Sequence, residues 1–472
     1  MTKGLQNRAG SDPRAASLVA LTEVIYKNQD SQAALDKVLS QSQIMPTDKG
    51  LCTELFYGTL RYYLRLEWYL GQKLTKPEKL PQELRLVLAQ ALYELMHTRV
   101  PDHAAVNWAV NIVSHRFGQG LGKVANAVLR GAIRAKKTEY LSRAYYAENS
   151  GAANPEQGEN SAEALALYYA VPLWLAKLWL ESYGLEDTLL YLQAGLGFAP
   201  QAVRVNVAND EDGAVAGELQ AQNASLLAPA CWVIKPGSRL PIRTWVAEGK
   251  VSRQSAAAYE TLFGLSPHGW PQPVWDACVG RGNKTLALLE QNIAVHTVSD
   301  PSKKRLQGLE EEIERLGFGD PFKKDCGGNA CEVDFDLLMK RKKLPPKPEV
   351  TEASATATGF EGLFGTVLVD APCSGLGTLA HRPEIRWRRS AEDIEKLVAT
   401  QKEVLRAAHK ALKGDSGNSI VYMTCTLNPA ENQEQVKSFL AEHPDYTLQK
   451  ETQSPASSPL AEFFYAAVLV RK

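Results

Sequence analysis

The chain has 472 residues, too many for one compact core, so two or three domains are expected. Lys plus Arg equals Asp plus Glu at 53 each, which excludes a whole-chain field that draws nucleic acid; any basic surface has to be local. The seven cysteines are scattered without a C-x-x-C pair, so neither a disulfide framework nor a bound metal is expected.

The first residues lack the apolar core of a signal peptide. The most membrane-like stretch, 164–180, contains Pro172 and Lys177 and falls short of the about 20 residues of a span. A soluble protein of the reducing cytoplasm is expected, with its thiols available for nucleophilic work.

From Pro13 to about Lys137 the pattern is helical, with Leu84, Val87, Leu88, Ala91, Leu92 and Leu95 recurring at the three-and-four spacing of one helix face. Three stretches follow in order: Tyr57-Gly-Thr-Leu-Arg61, Val100-Pro-Asp-His-Ala-Ala-Val-Asn107 and Val124-Ala-Asn-Ala-Val-Leu-Arg130. Together they resemble the NusB-type RNA-binding helical domain, over residues 1–140. That resemblance implies RNA contacts by Arg61 and Arg130; taken singly, each reads equally well as a solvated helix end.

Residues 141–163 are polar, small and punctuated by Gly and Pro, the composition of a linker. Residues 164–265 read as a small α+β subdomain. Pro172 opens a helix with Trp174, Leu175, Leu178 and Trp179 on one face, a short strand begins at Arg204, and a charged loop carries Arg253, a candidate RNA contact.

From Pro273 short buried strands at 274–275, 295–298, 366–369 and 419–423 alternate with helices at 302–316 and 391–412. This alternation predicts a doubly wound, Rossmann-like α/β domain over 266–472. Residues 327–362 interrupt it and read as a flexible insertion.

Ligands of such a sheet bind beyond the carboxyl ends of its strands. The first strand runs into Asp276-Ala-Cys278-Val-Gly280-Arg-Gly282-Asn283-Lys284, a glycine turn over which backbone can approach a nucleotide-like ligand. Asp300 ends the second strand, and Asp325 stands where a third would end. Acidic strand ends without a G-x-x-x-x-G-K-[ST] loop fit an adenosine ligand better than a gripped triphosphate, although solvated turns also end in Asp. The fourth strand hands over to Asp370-Ala-Pro-Cys373-Ser-Gly, and a later one to Thr424-Cys425-Thr426. Two thiols at strand ends suggest covalent catalysis.

These two motifs, with Arg382-Pro-Glu-Ile-Arg386-Trp between them, resemble the RNA cytosine-C5 methyltransferases of the NOL1/NOP2/Sun family. With a NusB-like N-terminus the likeness is to the branch that acts on small-subunit ribosomal RNA. It implies S-adenosylmethionine as cofactor, held by Asp276, Cys278, Gly280, Gly282, Asn283, Asp300, Asp325 and Asp370. It implies Cys425 as nucleophile, Cys373 as the thiol that assists release, Asp370 as the group gripping the base, and Lys284 as its electrostatic support. Arg382 and Arg386 flank the aromatic Trp387 as RNA contacts, or Trp387 belongs to the core. The partner implied is 16S rRNA or a small-subunit assembly intermediate, met by a monomer.

The chain departs from the family where the turn usually reads Ala-Pro-Gly-Gly-Lys: Arg281 replaces Pro and Asn283 replaces one Gly. Arg281 is a candidate partner of the methionine carboxylate. Two other readings remain open from sequence: Cys373 as the nucleophile, and a non-catalytic RNA-binding assembly factor.

Overall fold

The computed structural model describes residues 10–151, 155–210, 212–318, 348–356 and 359–472. They form two compact units, Met1–Gly197 with Leu379–Ser390, and Phe198–Thr378 with Ala391–Lys472.

The first unit is helical. Asp12 caps its first described helix, Pro13–Lys27, by accepting from the backbone N–H groups of Arg14 and Ala15, with Pro13 at the position where a missing N–H costs nothing. Gln82–His97 is the central helix; Leu84, Leu86, Val87, Leu88, Ala91, Leu92 and Leu95 are buried on more than the one face that the spacing predicts. Its polar Glu94 stays inside because Arg14 donates to it through Nε and Nη2.

The expected linker is largely built into this unit. Ser142 caps a helix over Arg143–Asn149, and Tyr146 on that helix is fully buried. Arg65 donates to the Tyr146 hydroxyl at 3.0 Å and lies 4.2 Å from the Tyr168 ring centroid, so aromatic faces enclose the guanidinium. Helices Ala162–Tyr168 and Leu173–Leu196 complete the unit, so the division falls at Gly197, and residues 164–197 do not belong to an α+β subdomain.

The second unit has two sheets. Strands β1 (Ala202–Val205), β2 (Ser225–Ala228), β3 (Cys231–Val233) and β4 (Val251–Gln254) form an antiparallel sheet in the order β2-β3-β1-β4. Strands β5 (Val274–Asp276), β6 (Thr297–Ser299), β7 (Glu349–Thr351), β8 (Thr366–Asp370), β9 (Ser419–Thr424), β10 (Tyr446–Gln453) and β11 (Tyr465–Arg471) form the larger one, ordered β10-β11-β9-β8-β5-β6-β7. The run from β9 to β7 is parallel, and β11 and β10 close the other edge antiparallel. The run Thr-Val-Leu-Val of β8 is apolar on both sides because both faces are covered: Leu368 joins one core with Val421 and Met423, while Val367 and Val369 join the other with Ile420 and Tyr422.

Two expectations change here. The third strand beside β6 is Glu349–Thr351, inside the stretch read as a flexible insertion, and Phe360 of that stretch stacks on Trp275 with ring centroids 4.5 Å apart. Asp325, expected at the end of an earlier third strand, lies outside the described residues. Strands β10 and β11 and the helix Gln433–Glu442 are additions that the sequence reading did not find. Among the described residues no helix is long and apolar enough to cross a membrane.

Candidate active site

Parallel pairing sets Asp276 of β5 opposite Leu368 of β8, and Asp370 of β8 opposite Met423 of β9. The residues that follow these strands therefore emerge at one edge of the sheet, the carboxyl edge, where open α/β sheets bind ligands.

At the end of β5, Asp276 accepts from the Thr285 hydroxyl at 2.6 Å and from the Cys278 N–H at 3.3 Å. Burial, reinforced by Asp370, raises its pKa to about 7 although Thr285 opposes the shift. Burial and the surrounding carboxylates likewise push the Cys278 thiol up. Asp300, after β6, accepts from Gly280 N–H at 3.1 Å and from Ser302 N–H at 2.8 Å. It thereby ties the first strand's turn to the second strand's end. Gly282 needs to be glycine: its φ is +83°, and a Cβ there would stand 2.2 Å from Leu309 Cδ1. Asn283 opens the helix Asn283–Glu290, which carries Lys284. The exposed Arg281 runs its side chain over Gly308 on the helix Lys303–Arg315.

Lys284 Nζ donates to Asp370 Oδ2 at 2.6 Å. Burial opposes the charge on Lys284, but Asp370, Cys425 and Asp276 outweigh it and raise the ammonium's pKa. Beyond Asp370, the sulfurs of Cys373 and Cys425 lie 3.2 Å apart as reduced thiols, and the Cys425 N–H points at Cys373 Sγ at 3.4 Å. Contact with Cys425, followed by burial, pushes the Cys373 thiol well above its ordinary value. Gly377 lets the two loops meet, because its N–H donates to the Cys425 carbonyl at 3.0 Å and a Cβ would stand 2.1 Å from the Phe463 carbonyl oxygen.

Thus Asp276, Cys278, Gly280, Gly282, Asn283, Lys284, Asp300, Asp370, Cys373 and Cys425 all fall at this edge. The expected RNA contacts divide. Arg130, Arg253 and Arg382 are exposed. Arg61 and Arg386 are buried within the first unit, at 3% and 1% exposure, which corrects their reading as surface contacts. Arg386 donates to the carbonyls of Leu379 and Gly195, and burial lowers its pKa to about 9. Arg61 points at the Ala380 carbonyl, and Trp387 packs on Tyr63 with centroids 5.3 Å apart, so Trp387 belongs to the core.

Sequence reasoning missed the buried polar residues behind the loops. Asn432 accepts from the Thr424 hydroxyl at 2.5 Å and donates to the Thr426 carbonyl at 3.0 Å, holding the turn of Cys425 from both sides. Their only trace in sequence is a polar run directly after a buried strand.

Comparison with known proteins identifies the family. The sequence profile of the 16S rRNA methyltransferase RsmB/F family matches residues 264–463, and that of the NusB family matches residues 11–134. The ribosomal RNA small subunit methyltransferase B of Vibrio vulnificus (strain YJ016) is 31% identical over 97% of this chain and 99% of its own length. The chain belongs to the ribosomal RNA small subunit methyltransferase B family. A probable member from Synechocystis is 30% identical over 92% of this chain and 90% of its own length. The crystal structure of PH0851 shares the fold at a TM-score of 0.70 and 20% identity, over 97% of this chain and 98% of the other.

S-adenosylmethionine is the methyl donor this family implies. The donor set fits it. Asp300 stands at the end of β6, where sheets of this kind carry the carboxylate that accepts from ribose hydroxyls, and it holds the Gly280 N–H of the neighbouring turn. The left-handed turn at Gly280 has nothing within 4 Å of where a Cβ would stand.

Proposed function

We propose that the chain transfers a methyl group to C5 of a cytosine in 16S rRNA through a covalent bond between Cys425 and C6 of the base. The observation that carries this reading is the pair of thiols 3.2 Å apart beside the Lys284–Asp370 ion pair.

Cytosine C5 is too weak a nucleophile to take a methyl group unaided. Addition of the Cys425 thiolate at C6 forms a C–S bond and pushes the ring's π electrons toward C5. C5 then takes the methyl group and gives up its proton to a base, for which solvent water suffices; the C–H electrons restore the double bond and the C6–S bond breaks, returning Cys425 as the thiolate. Each residue at the edge has a part in this sequence. Lys284 places a positive charge near Cys425 and favours its thiolate. Asp370, oriented by Lys284, accepts from the exocyclic amine of cytosine and selects the base edge. Cys373, whose sulfur lies 3.2 Å from that of Cys425, assists release. S-adenosylmethionine supplies the methyl group, with Asp276, Cys278, Gly280, Gly282, Asn283 and Asp300 as its holders. The target nucleotide has to leave its stack to reach the thiols. Arg130, Arg253 and Arg382 serve as phosphate contacts, and the substrate is 16S rRNA or a small-subunit assembly intermediate in the cytoplasm.

The test is transfer of labelled methyl from S-adenosylmethionine to undermethylated small-subunit RNA. Cys425→Ala is expected to be inactive, and Cys373→Ala to accumulate a denaturant-stable protein–RNA adduct. The reverse pattern assigns the nucleophile to Cys373, and no transfer by wild type points to a binding protein.

A further inference from the structure

Glu431 is fully buried, one residue past Ala430 in the single turn Pro429–Glu431 that follows β9. No step of the proposed chemistry uses it, yet its carboxylate is crowded with donors from both cysteine loops. Oε1 accepts from the Ser374 N–H at 2.7 Å and from Gln401 Nε2 at 3.1 Å. Oε2 accepts from the Ser374 hydroxyl at 2.5 Å, from Asn428 Nδ2 at 3.1 Å, and lies 3.3 Å from the Thr426 hydroxyl. Gln401 spends its other N–H on the Pro372 carbonyl at 2.9 Å. Cys373 is thus fixed through the residue on either side of it, and Cys425 through Thr426, by groups that converge on one carboxylate.

We propose that Glu431 is the positioning residue that sets the spacing of the two thiols. An acceptor-only carboxylate suits this task because donors arrive at both oxygens. The amide of Gln has one acceptor oxygen. Its NH2 would face N–H groups that can only donate, those of Ser374 and Gln401 on one side or of Asn428 on the other, and the bonds on that side would be lost. Glu431 is fully buried, so a donor left unpaired beside it is costly. The loops carry the reacting groups of the two-thiol mechanism, so the functional consequence rests on that reading, whereas the geometric one does not.

The experiment compares the full chain with Glu431→Gln, Glu431→Ala and Ser374→Ala in two assays. The first is bridging of Cys373 and Cys425 by dibromobimane, which fluoresces when each of two thiols displaces one bromide; Cys373→Ala gives the background. The second is methyl transfer, read as kcat and as KM for S-adenosylmethionine. Glu431→Gln is expected to slow bridging and to lower kcat by about 100-fold, the scale of a misplaced reacting group, with KM for the cofactor unchanged. Ser374→Ala, which removes one hydroxyl from one loop, is expected to fall between. If Glu431→Ala does not fold, Glu431→Gln decides. Wild-type bridging in Glu431→Gln overturns the proposal whatever the activity. A kcat loss matched by an equal rise in KM overturns it too, because that pattern marks damage to the cofactor site as well as to the spacing of the thiols. If wild type proves unable to transfer methyl to C5, slowed bridging still supports the positioning role while the reaction reading fails alone.

Discussion

Cys373 Sγ sits 3.2 Å from Cys425 Sγ, the Cys425 N–H points at Cys373, and the pKa of the Cys373 thiol is raised. The largest cause of that rise is the contact with Cys425 itself. Alkylation of Cys373 by iodoacetamide is therefore expected to stay slow through neutral pH in wild type, since the thiolate is the reactive form. In Cys425→Ala the main cause is gone, so Cys373 should alkylate faster at the same pH. Mass spectrometry of the modified peptides checks this, and equal rates in the two proteins would contradict it.

The Lys284–Asp370 pair makes a prediction about pH. The Lys284 pKa is raised in the folded chain by Asp370 against the pull of burial. Its contribution to stability is therefore complete below the unfolded lysine value of about 10.4 and is lost as pH rises through the higher folded one. Thermal midpoints of wild type should fall over that alkaline window more than those of Lys284→Met. At neutral pH the same variant, which leaves Asp370 without its cation, is expected to be less stable and nearly inactive in methyl transfer.

Gly377 has no room for a side chain between the Phe463 and Cys425 carbonyls. Both obstacles are backbone atoms, which cannot swing away as a side-chain end can. Gly377→Ala is expected to destabilise by about 3 kcal/mol and to lower activity, because the shift falls on the loop of Cys425. An unchanged thermal midpoint would show that the loops yield easily.

The arginines that look alike in sequence should behave differently. Arg130→Ala, Arg253→Ala and Arg382→Ala are each expected to lower the salt slope of RNA binding by about one, with little change in stability. Arg386→Ala strands the carbonyls of Leu379 and Gly195, which predicts a loss of about 1–3 kcal/mol. Filter-binding titrations at several salt concentrations, beside thermal melts, separate the two classes.

Much of this protein is determined by its sequence alone. Apolar runs ending in Asp276, Asp370 and Thr424 mark strands of the parallel sheet, because a strand covered on both faces cannot hide its composition. The two cysteine motifs, with the arginine-rich stretch between them, carry the resemblance to the RNA methyltransferases, and the family profile matches the stretch that holds them. Other features exist only through contacts distant in sequence. Residues 141–163 read as a linker because small polar residues surround Tyr146, which is buried by partners such as Arg65 far earlier in the chain. Arg386 reads as an RNA contact because charge in a loop is normally solvated, and only tertiary packing supplies the carbonyls that let it be enclosed. Glu431 reads as nothing in particular, since a carboxylate's role depends on which donors reach it. Those donors come from residues 374, 401, 426 and 428, and only the fold brings them to one point.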